Sequence, residues 1–230
     1  MKTFPNIKQK VGSKTCGPNC LLNIYQSLEI KTDLNKILKE LNVTTHDGTY
    51  LPQLARHLND NKLETVILTS NPFSVSPTWK NKSTKQIIEA LKKWLIYHIK
   101  DEWLKENLFL LFYLEEGGGL KIIDLSTNVI DEYLDKGYLV ISCLEESWLW
   151  QKRKIKDKQE YDDIKGHARG HYVVVYGKED DNYLISDPYP TKIKDCEGLY
   201  KVNKQQLLIA TLVWDMAFIA IKNNNWDRGD

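Results

Sequence analysis

The sequence has few of the features that mark a secreted or membrane-bound protein. Four cysteines in 230 residues are too few for a disulfide scaffold. The longest uninterrupted apolar run, residues 108–114, is far shorter than the roughly 20 residues that a membrane-spanning helix needs. The positively charged start of the chain is not followed by an apolar stretch, which argues against a signal peptide. We therefore expect a cytoplasmic protein without a membrane span, whose cysteines are free.

An excess of charge is also lacking. The 32 Lys and Arg residues nearly balance the 31 Asp and Glu residues, so nothing in the net charge of +1 favours nucleic acid or an anionic membrane as partner. The composition, 42% hydrophobic and 27% charged, is that of a globular protein, and no internal repeat is evident. A chain of this length predicts one domain over residues 1–230.

One segment, residues 151–170, is biased in charge. It holds seven basic and four acidic residues. The acidic residues dilute the basic patch, so we interpret the segment as a solvated loop between strands. The alternative is a mobile lid or a grip on an acidic partner.

Apolar residues at helical spacing predict that the first half of the chain is mainly helical. Helices are expected over residues 17–29, 33–41, 50–59 and 84–105, with a short β run at 63–69. The last helix begins at a capping box formed by Ser83 and Gln86. It is expected to contribute four residues to the core: Ile88, Leu91, Leu95 and Ile99.

The second half changes character after Gly117-Gly118-Gly119, because several β-branched runs follow. Strands are expected over residues 120–123, 138–144, 171–176, 183–187 and 216–221, and helices over 127–135 and 203–210. Trp148 and Trp150 alternate as strand residues do, and either pack in the core or line a cleft. The pattern predicts the α+β class: a helical lobe over about residues 9–115, packed on a mostly antiparallel sheet over about 118–222.

Cys16 is the candidate nucleophile. It begins the first predicted helix in the sequence Cys16-Gly17-Pro18, where Gly17 permits close approach and Pro18 suits an early helical position. The N-terminus of a helix stabilises negative charge and can lower the pKa of a thiol toward neutrality. The alternative is a cysteine that merely packs at the start of a helix.

A thiolate nucleophile needs a histidine as its proton-transfer partner. Three of the five histidines lie in a predicted turn (His46) or within predicted helices (His57 and His98). His167 and His171 precede the strand at 171–176, where a side chain can face a cleft while its backbone is held. His171 is the stronger candidate, and a half-buried strand residue is the alternative.

Asp187 is the candidate that orients the imidazole of His171. If Tyr176 pairs with Asn182 across a hairpin loop, His171 lies opposite Asp187 with both side chains on one face of the sheet. A slip of one residue in this register would separate them. The alternative is an Asp that forms a turn before Pro188.

A zinc site is the rival hypothesis from metal chemistry, with Cys16, Cys20, His167 and His171 as a tetrahedral set. This set leaves the Gly-Pro step and Asp187 without a role, so we expect neither a metal nor an organic cofactor. The other cysteines have only structural interpretations: Cys20 as a small apolar residue inside the helix, Cys143 as a strand core residue, and Cys196 in a turn.

Taken together, these motifs resemble the stand-alone relatives of the bacteriocin-leader (double-glycine) peptidases, which are papain-like cysteine peptidases. The resemblance covers most of residues 9–190 and rests on four segments in the family's order: Cys16-Gly17-Pro18, Gly48-Thr49, residues 170–177 and Ser186-Asp187-Pro188. It implies a papain-like fold. It also implies Cys16 as nucleophile, His171 as general base and acid, and Asp187 as orienting residue.

The sequence departs from that family at one position. The family places an oxyanion-binding Gln six residues before the Cys, where this chain has Lys10, and Gln9 lies one residue further away. Gln9 is the expected oxyanion donor if the loop accommodates the extra residue. We therefore predict a cysteine peptidase that cleaves an amide bond of a peptide or protein through a thioester. The alternatives are acyl transfer on the same site and a catalytically silent binding module, which the shifted Gln9 favours.

Overall fold

A single sheet forms the centre of the fold. The computed structural model describes residues 4–156, 158–190 and 198–222. Within them, the sheet has seven strands: β1 (Thr65–Thr69), β2 (Gly119–Ile122), β3 (Leu139–Glu145), β4 (Gly170–Glu179), β5 (Asn182–Ser186), β6 (Leu199–Asn203) and β7 (Ala217–Ile221). The strand order is β2-β1-β7-β3-β4-β5-β6, and β1 with β2 is the one parallel pair of this sheet. The predicted α+β class with a mostly antiparallel sheet is confirmed.

Helices cover both faces of this sheet. They are α1 (Cys16–Ser27), α2 (Leu34–Glu40), α3 (Leu51–Asp60), α4 (Thr84–Tyr97), α5 (Leu104–Glu115), α6 (Thr127–Asp135), α7 (Glu146–Trp150) and α8 (Lys204–Leu212). Five of the predicted helices are confirmed to within about three residues at each end, the uncertainty that helix boundaries carry. The capping box of α4 is also confirmed, because the Gln86 side chain accepts from the Ser83 N–H at 2.9 Å. Among the described residues, no helix combines the length and apolar character needed to cross a membrane.

The prediction of one helix over residues 84–105 is wrong. The helix ends at Tyr97, and a loop leads to α5, which contains the apolar run 108–114. Asp101 fixes this loop, because its carboxylate accepts the backbone N–H of Trp103 at 2.8 Å, just before α5 begins. Ile99 lies in the loop and is 66% exposed, so its predicted core position is also wrong. The predicted burial of Leu91 and Leu95 is confirmed, and Ile88 is half-buried.

Trp148 and Trp150, whose alternation is typical of a strand, belong instead to the short helix α7. The side chain of Glu145 starts this helix by accepting the backbone N–H of Trp148 at 3.0 Å. The helix turns the two indoles in different directions: Trp148 is 46% exposed, whereas Trp150 is 2% exposed.

The hairpin of β4 and β5 is tighter than predicted. The strands are joined by Asp180 and Asp181 alone, with Asp180 at φ 52°, instead of by a five-residue loop. A β-bulge lies between Val175 and Gly177, and beyond it Val174 pairs with Ser186. Between the bulge and the start of β4, the predicted register of β4 with β5 is therefore wrong by two residues. A shift of two keeps the side chains on this side of the bulge on their predicted faces, so His171 and Asp187 remain on one side of the sheet.

Apolar side chains fill both faces of the sheet. Along β4, Tyr172 and Val174 pack toward α1–α5, whereas Val173 and Val175 pack toward α6 and α8. The division into a helical and a sheet lobe is therefore only approximate, since β1 lies within the sheet and α6–α8 cover its far face. Helix α1 packs against β4. This contact brings the N-terminus of α1 close to the end of the sheet at which β4 begins.

Candidate active site

Cys16 occupies the first position of α1 and lines a cavity of about 790 Å³. Its side chain is partly exposed and forms no disulfide. The next residue must be glycine, because a Cβ at Gly17 would overlap with the Thr49 hydroxyl and the Leu54 side chain. The predicted role of Gly17 in close approach is thus confirmed. It lets the start of α1 pack against the start of α3 while the thiol faces the cavity.

His171 lies at the start of β4 and faces the same cavity. Its Nε2 atom is 2.7 Å from Oδ1 of Asp187, and both side chains are buried, at 3% and 0% exposure. The other ring nitrogen, Nδ1, is not used by Asp187, and Cys16 is near enough to the imidazole to raise its pKa. The structure thus brings together the three residues that the sequence analysis singled out, although the strand register was predicted incorrectly.

The charges of His171 and Asp187 stabilise each other. Burial alone would lower the pKa of His171, but the charge and hydrogen bond of Asp187, together with Cys16, raise it to about 10. Burial alone would raise the pKa of Asp187, but the charge and hydrogen bond of His171, with donors from Tyr200 and Tyr189, hold it below its usual value. At neutral pH the pair is therefore an imidazolium and a carboxylate.

Asp187 is also held by donors that the sequence analysis did not assign to the site. Trp150 Nε1 donates to its Oδ2 atom at 3.0 Å, and the Tyr200 hydroxyl donates to the same atom at 2.5 Å. The backbone N–H of Tyr189 donates to Oδ1 at 2.8 Å. The Trp150 ring also packs beside the His171 ring, with centroids 5.4 Å apart. These donors fix the carboxylate, and the carboxylate fixes the imidazole.

Replacing Tyr200 by phenylalanine tests this support. We expect Tyr200→Phe to lower the free energy of unfolding by about 1.5–3 kcal/mol, because a buried carboxylate loses a charged hydrogen bond. Tyr113→Phe is the matched control, since the buried Tyr113 hydroxyl bonds to Thr65 and Gly119, which are neutral. Urea unfolding measures both changes, and NMR titration of His171 should show a shifted pKa in Tyr200→Phe alone. Equal effects of the two variants on that pKa would contradict the assignment.

Gln9 lies in the cavity beside Cys16, despite its shifted spacing. The extra residue is absorbed by a turn in which Ser13 N donates to Lys10 O at 3.0 Å and Gly12 adopts φ 80°. The backbone N–H of Gln9 donates to Pro188 O at 2.8 Å, which ties this loop to the residue after Asp187. Its Nε2 atom donates one hydrogen to Ser13 O at 2.9 Å. Within the described part of the chain the second hydrogen of the amide has no acceptor, so it is available to a ligand.

Residues 151–170 do not behave as a uniformly solvated loop. Ile164 is 91% exposed, as that interpretation expects, but Lys154 is only 5% exposed. Lys154 Nζ lies 3.3 Å from Oε2 of Glu146 and 3.8 Å from the ring centroid of Tyr189. Both Lys154 and Glu146 line the cavity next to His171. The interpretation as a solvated loop is therefore wrong for Lys154, which belongs to the cavity wall.

The other histidines lie apart from Cys16. His46 is exposed in its turn, and His57 is held in the core by Tyr25 and Glu40, at 2.7 and 3.0 Å. His98 stacks on Trp94, and His167 is exposed beside Lys154. Within the described ranges, no group of three or more His, Cys, Asp or Glu side chains is placed to hold a metal ion, and the zinc set of the rival hypothesis is not assembled.

The remaining cysteines are accounted for by packing. Cys20 and Cys143 are buried, as predicted, and burial raises the pKa of both thiols. The predicted turn at Cys196 lies outside the described residues.

Comparisons with known proteins give similarity at the level of structure. No family model and no curated protein matches the sequence. A protein from Bacillus anthracis described as a C39-like peptidase matches with a TM-score of 0.49 and 12% identity, over 96% of each chain. The peptidase domain of Streptococcus ComA, a bifunctional ABC transporter of a quorum-sensing pathway, matches with a TM-score of 0.48 and 12% identity, over 96% of this chain and 100% of that domain. Both of these proteins are described as peptidases.

Proposed function

We propose that this protein is a cysteine peptidase that cleaves an amide bond through a thioester intermediate on Cys16. The observation that carries this proposal is the buried, hydrogen-bonded pair of His171 and Asp187, whose imidazole lines the same cavity as the Cys16 thiol. A peptide or protein is the proposed substrate, because the cavity that Cys16 lines, about 790 Å³ in volume, is large enough for several residues.

The proposed reaction begins with attack of the Cys16 sulfur on the carbonyl carbon of the substrate. His171 then donates its proton to the departing amine nitrogen, and the C–N bond breaks to leave a thioester. A water molecule gives a proton back to His171 and attacks the thioester carbon, which releases the carboxylic acid and the thiolate. Throughout the cycle Asp187 keeps the imidazole oriented and stabilises its positive charge.

The negative oxygen of the tetrahedral intermediate needs hydrogen-bond donors. Two are proposed: the free N–H of the Gln9 amide and the backbone N–H of Cys16. The first residues of a helix have no intrahelical acceptor for their N–H groups, so the N–H of Cys16 is not used by α1 itself. The location of Gln9 in the cavity supports an active enzyme over a silent binding module, which the shifted sequence spacing had favoured.

Selective alkylation tests the proposal without knowledge of the substrate. We expect iodoacetamide near neutral pH to modify Cys16 at least about 10-fold faster than Cys20 and Cys143, with each site quantified by peptide mass spectrometry. Exposure alone would also favour Cys16, so the decisive comparison is with His171→Ala. This variant is expected to slow the alkylation of Cys16 about 10-fold or more, because the reacting sulfur loses the cationic imidazolium beside it.

His57→Ala is the control, since His57 is a buried histidine that contacts Tyr25 and Glu40 instead of Cys16. An unchanged alkylation rate in His171→Ala would contradict the proposal and favour a silent module. Where a peptide is cleaved, addition of an amine distinguishes the two enzymatic outcomes: incorporation of the amine into the product indicates acyl transfer, and its absence indicates hydrolysis.

A further inference from the structure

One part of the active-site cavity is acidic and is not used by the proposed reaction. We call it the acidic arm and define it by the lining residues Trp103, Glu106, Cys143, Tyr172, Trp214 and Asp215. It lies beside Tyr172, the neighbour of His171 in β4, whereas Glu146 and Lys154 lie beside His171 itself. The Trp214 ring rests against the backbone of Gly170, where a Cβ would overlap with it. The arm therefore begins next to the reacting groups and has aromatic walls.

Two carboxyl groups meet in this arm. Asp215 is 6% exposed and Glu106 is half-buried in the first turn of α5; both line this arm and are near enough to shift each other's pKa. Burial and the charge of Asp215 raise the pKa of Glu106 to about 9, and burial raises the pKa of Asp215 to about 6. Among the described residues, no Lys, Arg or His forms an ion pair with either group. At neutral pH the pair thus retains one proton and one negative charge.

The cavity also contains buried acceptors that the described residues leave without a donor. Oε1 of Glu146 has no hydrogen-bond partner, although this residue is only 3% exposed. Oε1 of Gln9 has none either, and Gln9 is 5% exposed. Both residues line the cavity. Because an unsatisfied buried acceptor is costly, these atoms indicate a ligand that supplies N–H groups, as the backbone of a peptide does.

We infer that the acidic arm binds a basic side chain, lysine or arginine, of the peptide that Cys16 cleaves. This inference rests on the proposed function and specifies its substrate class. The aliphatic stem of the basic residue would pack against the rings of Trp103 and Trp214, and its cationic head would meet Glu106 and Asp215. A cation that enters the arm replaces the proton shared by the two carboxyls. The ion pair formed there would be largely shielded from water, which strengthens it.

A library of internally quenched peptides tests the inference. Matched sequences differ only in one residue, which is lysine, arginine, norleucine, glutamine or glutamate, placed in turn at each position. We expect the basic residue at one position to raise kcat/KM about 10-fold to 100-fold over norleucine, the range of a desolvated charge pair. The Glu106→Gln/Asp215→Asn variant should remove this preference, so that its kcat/KM values for the lysine and norleucine peptides lie within about 3-fold of each other. Glu102→Gln, an exposed carboxylate just before α5, is the matched control and should retain the preference.

A binding measurement covers the case in which the double variant does not fold. In Cys16→Ala, which cannot react, N-acetyl-lysine methylamide should perturb the NMR signals of the Trp103 and Trp214 indoles at lower concentration than N-acetyl-norleucine methylamide. The single variant Glu106→Gln, which preserves shape, should weaken the lysine probe alone. In Cys16→Ala with Glu106 intact, the affinity for the lysine probe should rise as pH increases toward about 9, because Glu106 loses its proton. The other titratable groups that face Glu106 are Asp215, Cys143 and Tyr172.

The outcomes separate this inference from the proposed function. Cleavage that depends on Cys16 but ignores the basic residue overturns the inference alone, and so does a basic preference that survives Glu106→Gln/Asp215→Asn. Equal binding of the lysine and norleucine probes overturns it as well. If no peptide is cleaved and alkylation of Cys16 does not depend on His171, the proposed function fails, and the inference about its substrate fails with it.

Discussion

Cys16→Ala and Cys16→Ser are expected to lose peptide hydrolysis by a factor of at least about 10³, with the fold intact. Covalent catalysis splits amide cleavage into two easier steps, and without the sulfur the thioester that links them cannot form. Serine places a hydroxyl at the same position, but its pKa is far too high for the imidazolium of His171 to coexist with an alkoxide. The measurement is kcat/KM on the best peptide of the library, together with urea unfolding of each variant.

Cys20→Ala is the matched control for the loss of a thiol. Cys20 lies one turn further along α1 and is fully buried, so it packs in the core and does not face the cavity. This variant should cost some stability through the small cavity that it leaves, and it should retain kcat/KM within about 3-fold once folded. Hydrolysis that persists in Cys16→Ala at more than a tenth of the parent rate would show that another group performs the chemistry.

The parts of the site that the sequence predicts are those set by local rules. The Cys-Gly-Pro step marks the start of a helix, and Gly17 is needed there because α1 and α3 approach closely. The strand after His171 is a run of β-branched and aromatic residues, and such a run predicts a buried strand. Both patterns lie within a few consecutive residues, so a single sequence is sufficient to recognise them.

The parts that the sequence does not predict depend on register and on distant contacts. The β-bulge between Val175 and Gly177 and the two-residue turn at Asp180 each shift the pairing of β4 with β5, and neither has a strong local signal. Strand β6 was not predicted at all, since its buried apolar residues are only Tyr200 and Val202. Tyr200 therefore could not be assigned to Asp187. An acidic pair such as Glu106 and Asp215 is likewise formed only by the tertiary fold.

Asp187→Ala is expected to lower the free energy of unfolding by about 3–5 kcal/mol, because it leaves a buried partner of an ion pair uncompensated. The substitution also removes the acceptor of three donors, namely Trp150 Nε1, the Tyr200 hydroxyl and the Tyr189 N–H. Asp187→Asn keeps an oxygen for these donors and is expected to cost less, about 1–3 kcal/mol. Both variants should reduce kcat/KM about 10²-fold to 10⁴-fold, since His171 is no longer held as an oriented imidazolium.

The dependence on pH distinguishes the loss of this ion pair from a general loss of packing. The pKa of His171 is raised to about 10 in the folded protein, against about 6.5 in an unfolded chain, so the pair stabilises fully below about pH 6.5 and loses that contribution as pH rises toward 10. The pKa of Asp187 is lowered by folding, so its contribution is present above about pH 4 and is lost in stronger acid. The difference in unfolding free energy between the parent protein and Asp187→Asn should therefore be largest between about pH 4 and 6.5 and should narrow toward pH 10.

Urea unfolding across this range measures the difference, and the subtraction cancels other groups that titrate there, such as Glu106. A difference that does not change with pH would mean that Asp187 acts through shape alone, and the imidazolium assigned to His171 would then be wrong.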